Sequence, residues 1–107
     1  MKTGLWVRPE AESDLREAYR WYEGQRPGLG DDFLLCVDAA LSAIQANPLA
    51  FPAIHQEVRR VLVRRFPYGV FYVHRGQTLT ILAVFHCHRD PSAWQGRATS
   101  GRSLRDR

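Results

Sequence analysis

Apolar positions recur with a helical period in the first half of this chain and with a strand period in the second. Leu5-Trp6-Val7 is a short apolar run ending at Arg8-Pro9. The residue before a proline is pushed toward extended geometry, so this run predicts a strand. Pro9 suits the first turn of a helix, and Glu10, Glu12 and Asp14 place negative charge at its positive end. Ala11, Leu15, Ala18, Tyr19 and Tyr22 then mark a buried stripe, with Gly24 and the segment 25–30 as the break. A second helix is predicted from Asp31, with Phe33, Val37, Ala40 and Ile44 on one side and Asn47-Pro48 as its end. Two one-sided helices joined by a short loop predict an antiparallel hairpin.

From Val58 the period shortens to that of strands. Residues 58–66, 70–74 and 78–86 predict three strands, separated by turns at Pro67-Tyr68-Gly69 and Arg75-Gly76-Gln77. The last is apolar on both faces, as an interior strand requires. The expected fold is therefore α+β, in the order β-α-α-β-β-β. A helical hairpin packs on one face of a small antiparallel sheet, whose other face meets solvent or a partner. Residues 1–94 form the one domain. Residues 95–107 hold Gly, Ser, Thr and charge with almost no apolar content, which predicts a basic, disordered tail.

Charge is divided unevenly. Residues 1–53 carry five bases and eight acids, and residues 54–107 carry ten bases, all arginine, and three acids. The second half therefore stands at +7, within a chain of net charge +4. Arginine suits bidentate contact with phosphate or carboxylate, so the partner is expected to be anionic: nucleic acid or an acidic protein segment. The two cysteines, Cys36 and Cys87, lack zinc-ligand spacing and are expected to be reduced and buried, with no metal and no cofactor. No run is long enough to span a membrane, and the N-terminus has no signal-like apolar stretch. The expected location is the cytoplasm.

Five stretches in register resemble the RelE/ParE toxin superfamily, and most closely its ParE-like plasmid stabilisation branch. They are Pro9-Glu10-Ala11-Glu12-Ser13-Asp14-Leu15; Tyr22-Glu23 with Pro27-Gly28-Leu29-Gly30-Asp31-Asp32-Phe33; Ile44-Gln45-Ala46-Asn47-Pro48 with Phe51-Pro52; Val58-Arg59-Arg60 with Arg64-Arg65-Phe66-Pro67-Tyr68-Gly69-Val70-Phe71-Tyr72; and Val84-Phe85-His86 with Arg89-Asp90-Pro91 and Trp94. The resemblance implies the toxin of a type II toxin–antitoxin pair. Its partner is a cognate antitoxin, expected to be acidic, partly disordered and DNA-binding. It implies one of two targets, DNA gyrase or mRNA on the ribosome. A degenerate member that binds only its antitoxin is a third possibility. Fold alone does not choose among them.

Metal-free RNA cleavage needs a base, an acid and cations around the phosphate. If the chain were such a nuclease, Arg60, Arg64, His86, His88 and Arg89 would carry it. The resemblance puts a base where Leu62 stands and an arginine where Gly69 stands, so that set is incomplete. For target or antitoxin binding the candidates are Arg59, Arg60, Arg64, Arg65, Tyr68, His88 and Arg89. Each has a structural reading beside it. Arg59/Arg65 and Arg60/Arg64 fall on opposite faces of one predicted strand, so one pair must turn toward the helices and could meet Glu17 or Glu23. His86 continues an apolar strand as a packing residue, Tyr68 covers the core edge, and Trp94 caps the sheet. Tyr19, Trp21 and Tyr22 belong to the core.

Overall fold

The computed structural model describes residues 4–97. The tail predicted over 95–107 lies outside them except for its first three residues. The element order is β1 (Gly4–Val7), α1 (Pro9–Gln25), α2 (Leu29–Ala46), β2 (Ala53–His55), β3 (Val58–Leu62), β4 (Tyr68–Arg75) and β5 (Thr78–His86). They build one five-stranded sheet in the order β1-β5-β4-β3-β2. The three long strands form the expected antiparallel meander. The sheet is nonetheless mixed, because β1 lies parallel to β5. The α1–α2 hairpin carries the chain from β1 at one edge of the sheet to β2 at the other. β2 was not expected: three residues are too few to show alternation, and its pairing with β3 is irregular.

The hairpin has its own internal fastenings. α1 starts at Pro9 as expected, with Glu10 and Glu12 in its first turn. Its buried stripe is Ala11, Asp14, Ala18 and Tyr22, so Asp14 is not a solvent-facing dipole charge but a buried carboxylate. α2 starts at Leu29, two residues before the predicted Asp31. Gly28 precedes it with φ of 90°, a conformation that favours glycine. The Glu23 carboxylate accepts hydrogen bonds from the Gly28 and Gly30 N–H groups, both at 2.9 Å. It thus does for α2 what a capping side chain normally does. Gly30 permits the two helices to meet: a Cβ there would lie 2.8 Å from the Tyr19 ring and from Glu23 Oε1.

Two apolar clusters flank the sheet. The larger joins Ala11, Ala18, Tyr22, Phe33, Val37 and Ile44 of the helices to Val61, Val70, Tyr72, Ile81 and Val84 of the sheet. The Tyr22, Phe33, Phe66 and Tyr68 rings pack against one another at its end. The second holds Val58, Phe71, Val73, Leu82, Ala83, Phe85 and Trp94 on the far face. A helical turn over residues 92–97 covers that face, so it is not left wholly to solvent or a partner. Trp94 stacks on Phe71 with centroids 4.9 Å apart, the capping role predicted for it. No helix among the described residues is long and apolar enough to cross a membrane.

Candidate functional site

The far face of the sheet, at the ends of β3, β4 and β5, brings together Arg60 and Arg89, neither of which forms an ion pair among the described residues. β3 stops at Leu62, so only Arg59 and Arg60 lie on it, and they point to opposite faces. Arg64 and Arg65 lie in the turn that follows, and the alternation expected through 58–66 does not extend to them. Val63 N–H donates to the Tyr68 carbonyl at 2.8 Å and closes this turn, with Arg65 at φ of 71°. Arg59 turns to the helix side, beside its cross-strand partner Tyr72, and donates to the Phe51 carbonyl. It therefore fastens the loop after α2 and meets neither Glu17 nor Glu23. Arg65 comes within 3.8 Å of Asp32, but both side chains are exposed, so the pair contributes little.

Arg60 takes the far face. Its stem lies across Gly69, where a Cβ would come within 3.0 Å of Arg60 Cδ and 3.1 Å of Cγ. Gly69 pairs in register with Phe85 on one side and Leu62 on the other. Arg89, just beyond β5, sets its guanidinium over the Phe85 ring at 4.2 Å. Two cations from distant stretches thus converge on one row of the sheet. Neither has an acidic partner among the described residues, and Arg64 and His88 stand exposed nearby in sequence. Such a surface suits an anionic partner.

His86 ends β5, half-buried, with its ring 5.5 Å from Tyr68 and 5.3 Å from His88. Its Nδ1 accepts the His88 N–H at 3.1 Å, which leaves Nε2 as the ring donor. Tyr68 begins β4 and is no longer part of a turn. Burial pushes its phenol up from the usual tyrosine range, against an opposing pull from Arg89. Tyr68, His86 and Arg89 share a cleft of about 230 Å³ with Asp14, Glu17 and Trp21. Trp21 is 60% exposed there, so it is not the core residue the pattern suggested. Tyr22 is buried as expected, and Tyr19 is half-buried. Cys87 is exposed and Cys36 half-buried, both as free thiols.

A second feature was not foreseen. Leu15, Arg16, Tyr19, Arg20 and Leu34 line an apolar groove of about 340 Å³ on the outer side of the helical hairpin. Arg16 and Arg20 flank it without acidic partners among the described residues. The visible signal was the i, i+4 repeat of arginine beside Leu15 and Tyr19.

The family described as "ParE toxin of type II toxin-antitoxin system, parDE" matches residues 6–91. Toxin ParE2 of Mycobacterium tuberculosis strain CDC 1551 / Oshkosh is 34% identical over 105 residues, covering 97% of this chain and 99% of the relative. Toxin ParE2 of strain ATCC 25618 / H37Rv matches to the same extent. Among solved structures, a chain of the chromosomal ParDE TA system from P. aeruginosa superposes with a TM-score of 0.69 at 22% identity. It covers 78% of this chain and 95% of that one, and at this identity the likeness concerns the fold. The profile match over most of the chain and the full-length relatives carry the assignment: this chain belongs to the ParE toxin family of type II toxin–antitoxin systems.

Proposed function

We propose that this chain inhibits growth by binding DNA gyrase, and that a cognate antitoxin neutralises it. The observation that carries this reading is the convergence of Arg60 and Arg89 on the Gly69–Phe85 row, with no ion pair to either among the described residues. A cationic surface with fixed guanidiniums recognises an anionic partner without needing chemistry of its own. Arg64 and His88, exposed beside it in sequence, extend the surface, whereas Tyr68 packs on the helix side and Arg65 lies by Asp32 of α2; the reading locates the protein with its target in the cytoplasm.

The antitoxin reading is supported by the groove at Leu15, Tyr19 and Leu34 with Arg16 and Arg20 at its rim. An amphipathic acidic segment would bury apolar anchors there and set carboxylates on the arginines. The alternative, a ribosome-dependent mRNA endonuclease built on Arg60, Arg64, His86, His88 and Arg89, lacks a base at two places. Leu62 and Gly69 stand there.

Induced expression in a bacterial host, with and without co-expression of a cognate antitoxin gene, tests the reading. Growth arrest relieved by that gene, with no new mRNA 5′ ends inside codons, is the expected result. New 5′ ends at the ribosomal A site would replace gyrase with the nuclease alternative. Growth unaffected by strong expression would indicate a member that only binds its antitoxin.

A further inference from the structure

β5 is nine residues long and β1 only four, so β1 covers one edge of β5 through Ile81 and no further. The ladder closes where Arg8 N–H donates to the Ile81 carbonyl at 3.1 Å. From there two side chains stand in for the missing strand. Asp14 Oδ2 accepts the Val84 N–H at 3.0 Å. Arg97 Nη1 donates to the Leu82 carbonyl at 3.0 Å. The two side chains hold each other through a bidentate pair, at 2.7 and 3.2 Å. The Arg97 guanidinium lies over the Phe85 ring at 4.5 Å, and the Arg97 carbonyl accepts from Arg8 Nη1 at 3.2 Å. Together the pair offers the strand one acceptor and one donor, as a neighbouring peptide would.

The position is unusual for a charged pair. A buried ion pair is seldom worth more to stability than apolar residues of the same volume. The apolar contacts of Ala11 and Ala18 already join α1 to the core. What the edge needs is protection. Residues 79–85, Leu-Thr-Ile-Leu-Ala-Val-Phe, are β-prone and carry neither charge nor proline. Such a segment with an exposed edge is an assembly hazard, and natural sheets guard such edges with inward-pointing charge. Beside the lock the edge borders open space: Val84, Phe85 and His86 line the cleft facing Glu17 and Trp21. The bulge at Leu82, which has no partner between Phe71↔Ala83 and Tyr72↔Ile81, adds a second edge-guarding device.

We propose that Asp14 and Arg97 form a lock that closes the edge of β5 against strand addition by a second copy of this chain. The occupant would be the partner copy's own 82–86 edge, because an antiparallel two-fold pairing makes the same uncharged segment its own complement. Opening the lock requires that Arg97 leave the Leu82 carbonyl and that Asp14, then without its cation, release the Val84 N–H. That leaves both backbone groups on the open edge of β5.

The test is sedimentation velocity over a range of concentrations, with amide exchange at Val84 read in the dilute sample. The full chain is compared with Arg97→Ala, Arg97→Lys and Asp14→Leu. The last fills the core without a charge and keeps the test valid if Arg97→Ala unfolds. The expected result is a monomeric parent and concentration-dependent self-association in Arg97→Ala and Asp14→Leu. In the dilute variants the Val84 amide should exchange about tenfold faster or more, while the β4–β5 amides elsewhere hold. Lysine, with one point charge, should restore only part of the protection. Cooperatively folded variants that stay monomeric, or a Val84 amide that exchanges as in the parent, would overturn the proposal.

Discussion

Leu62 and Gly69 are cross-strand partners at the end of β3 and β4. They are the two positions where the nuclease pattern asks for cations. They sit side by side on the far face, and the Arg60 stem fills the space that a side chain at 69 would take. A base cannot simply be restored at 69. Gly69→Arg should displace Arg60 and weaken target binding about as much as Arg60→Ala does. Leu62 is 56% exposed, so Leu62→Lys should leave stability within about 0.5 kcal/mol of the parent. Thermal denaturation and titration with the purified target read the two effects separately.

Glu23 holds the start of α2 through two backbone N–H groups. Glu23→Ala removes both acceptors and should cost about 1–2 kcal/mol, the usual loss for a deleted helix cap. Glu23→Gln keeps one acceptor oxygen and should cost less. Gly30→Ala should also destabilise, by about 1–3 kcal/mol, because the Tyr19 ring and Glu23 must both give way. Denaturant midpoints for the three variants give the order.

Alkaline pH should unfold this protein through its buried tyrosines. Burial raises the phenols of Tyr22, Tyr68 and Tyr72 above the ordinary value of 10.0. The folded state therefore keeps phenolic protons at a pH where the unfolded chain has begun to lose them. Their contribution is fully present below about pH 10 and is lost as pH rises through the folded values. Tyr72 also donates to the Pro48 carbonyl at 2.6 Å. Tyr72→Phe should cost about 1 kcal/mol at neutral pH and make the alkaline loss shallower. Stability measured from pH 8 to 11 tests both parts.

Much of the fold was legible because it rests on local periodicity. The helical stripe, the proline at the start of α1 and the all-apolar β5 are visible in any short window of the chain. What was not legible depends on distance. Asp14 looks like one more acid in a helical first turn, and only Val84 and Arg97, 70 and 83 residues away, explain its burial. Trp21 has the spacing of a core residue, but the sheet does not reach it. Arg64 and Arg65 continue a strand-like sequence that ends early because the chain turns back at Val63. Of the candidate site, Arg60 and Arg89 lie over the cross-strand neighbours Gly69 and Phe85. Arg59 belongs to the loop after α2, and the hairpin groove was missed.

Trp94 and Trp21 separate burial from pattern. Trp94 is 6% exposed and stacked on Phe71, so Trp94→Ala should cost about 3 kcal/mol or more. Trp21 is largely in solvent, so Trp21→Ala should change stability by less than about 0.5 kcal/mol. Urea unfolding of both variants gives the comparison.

The central claim is that the Arg60–Arg89 surface acts on gyrase by binding. The most direct measurement is supercoiling of relaxed plasmid by purified gyrase with increasing amounts of this protein. Inhibition near stoichiometry, weakened about tenfold in Arg60→Ala and in Arg89→Ala while both stay folded, is the predicted result. Supercoiling that continues unchanged at several-fold excess of folded protein would contradict it.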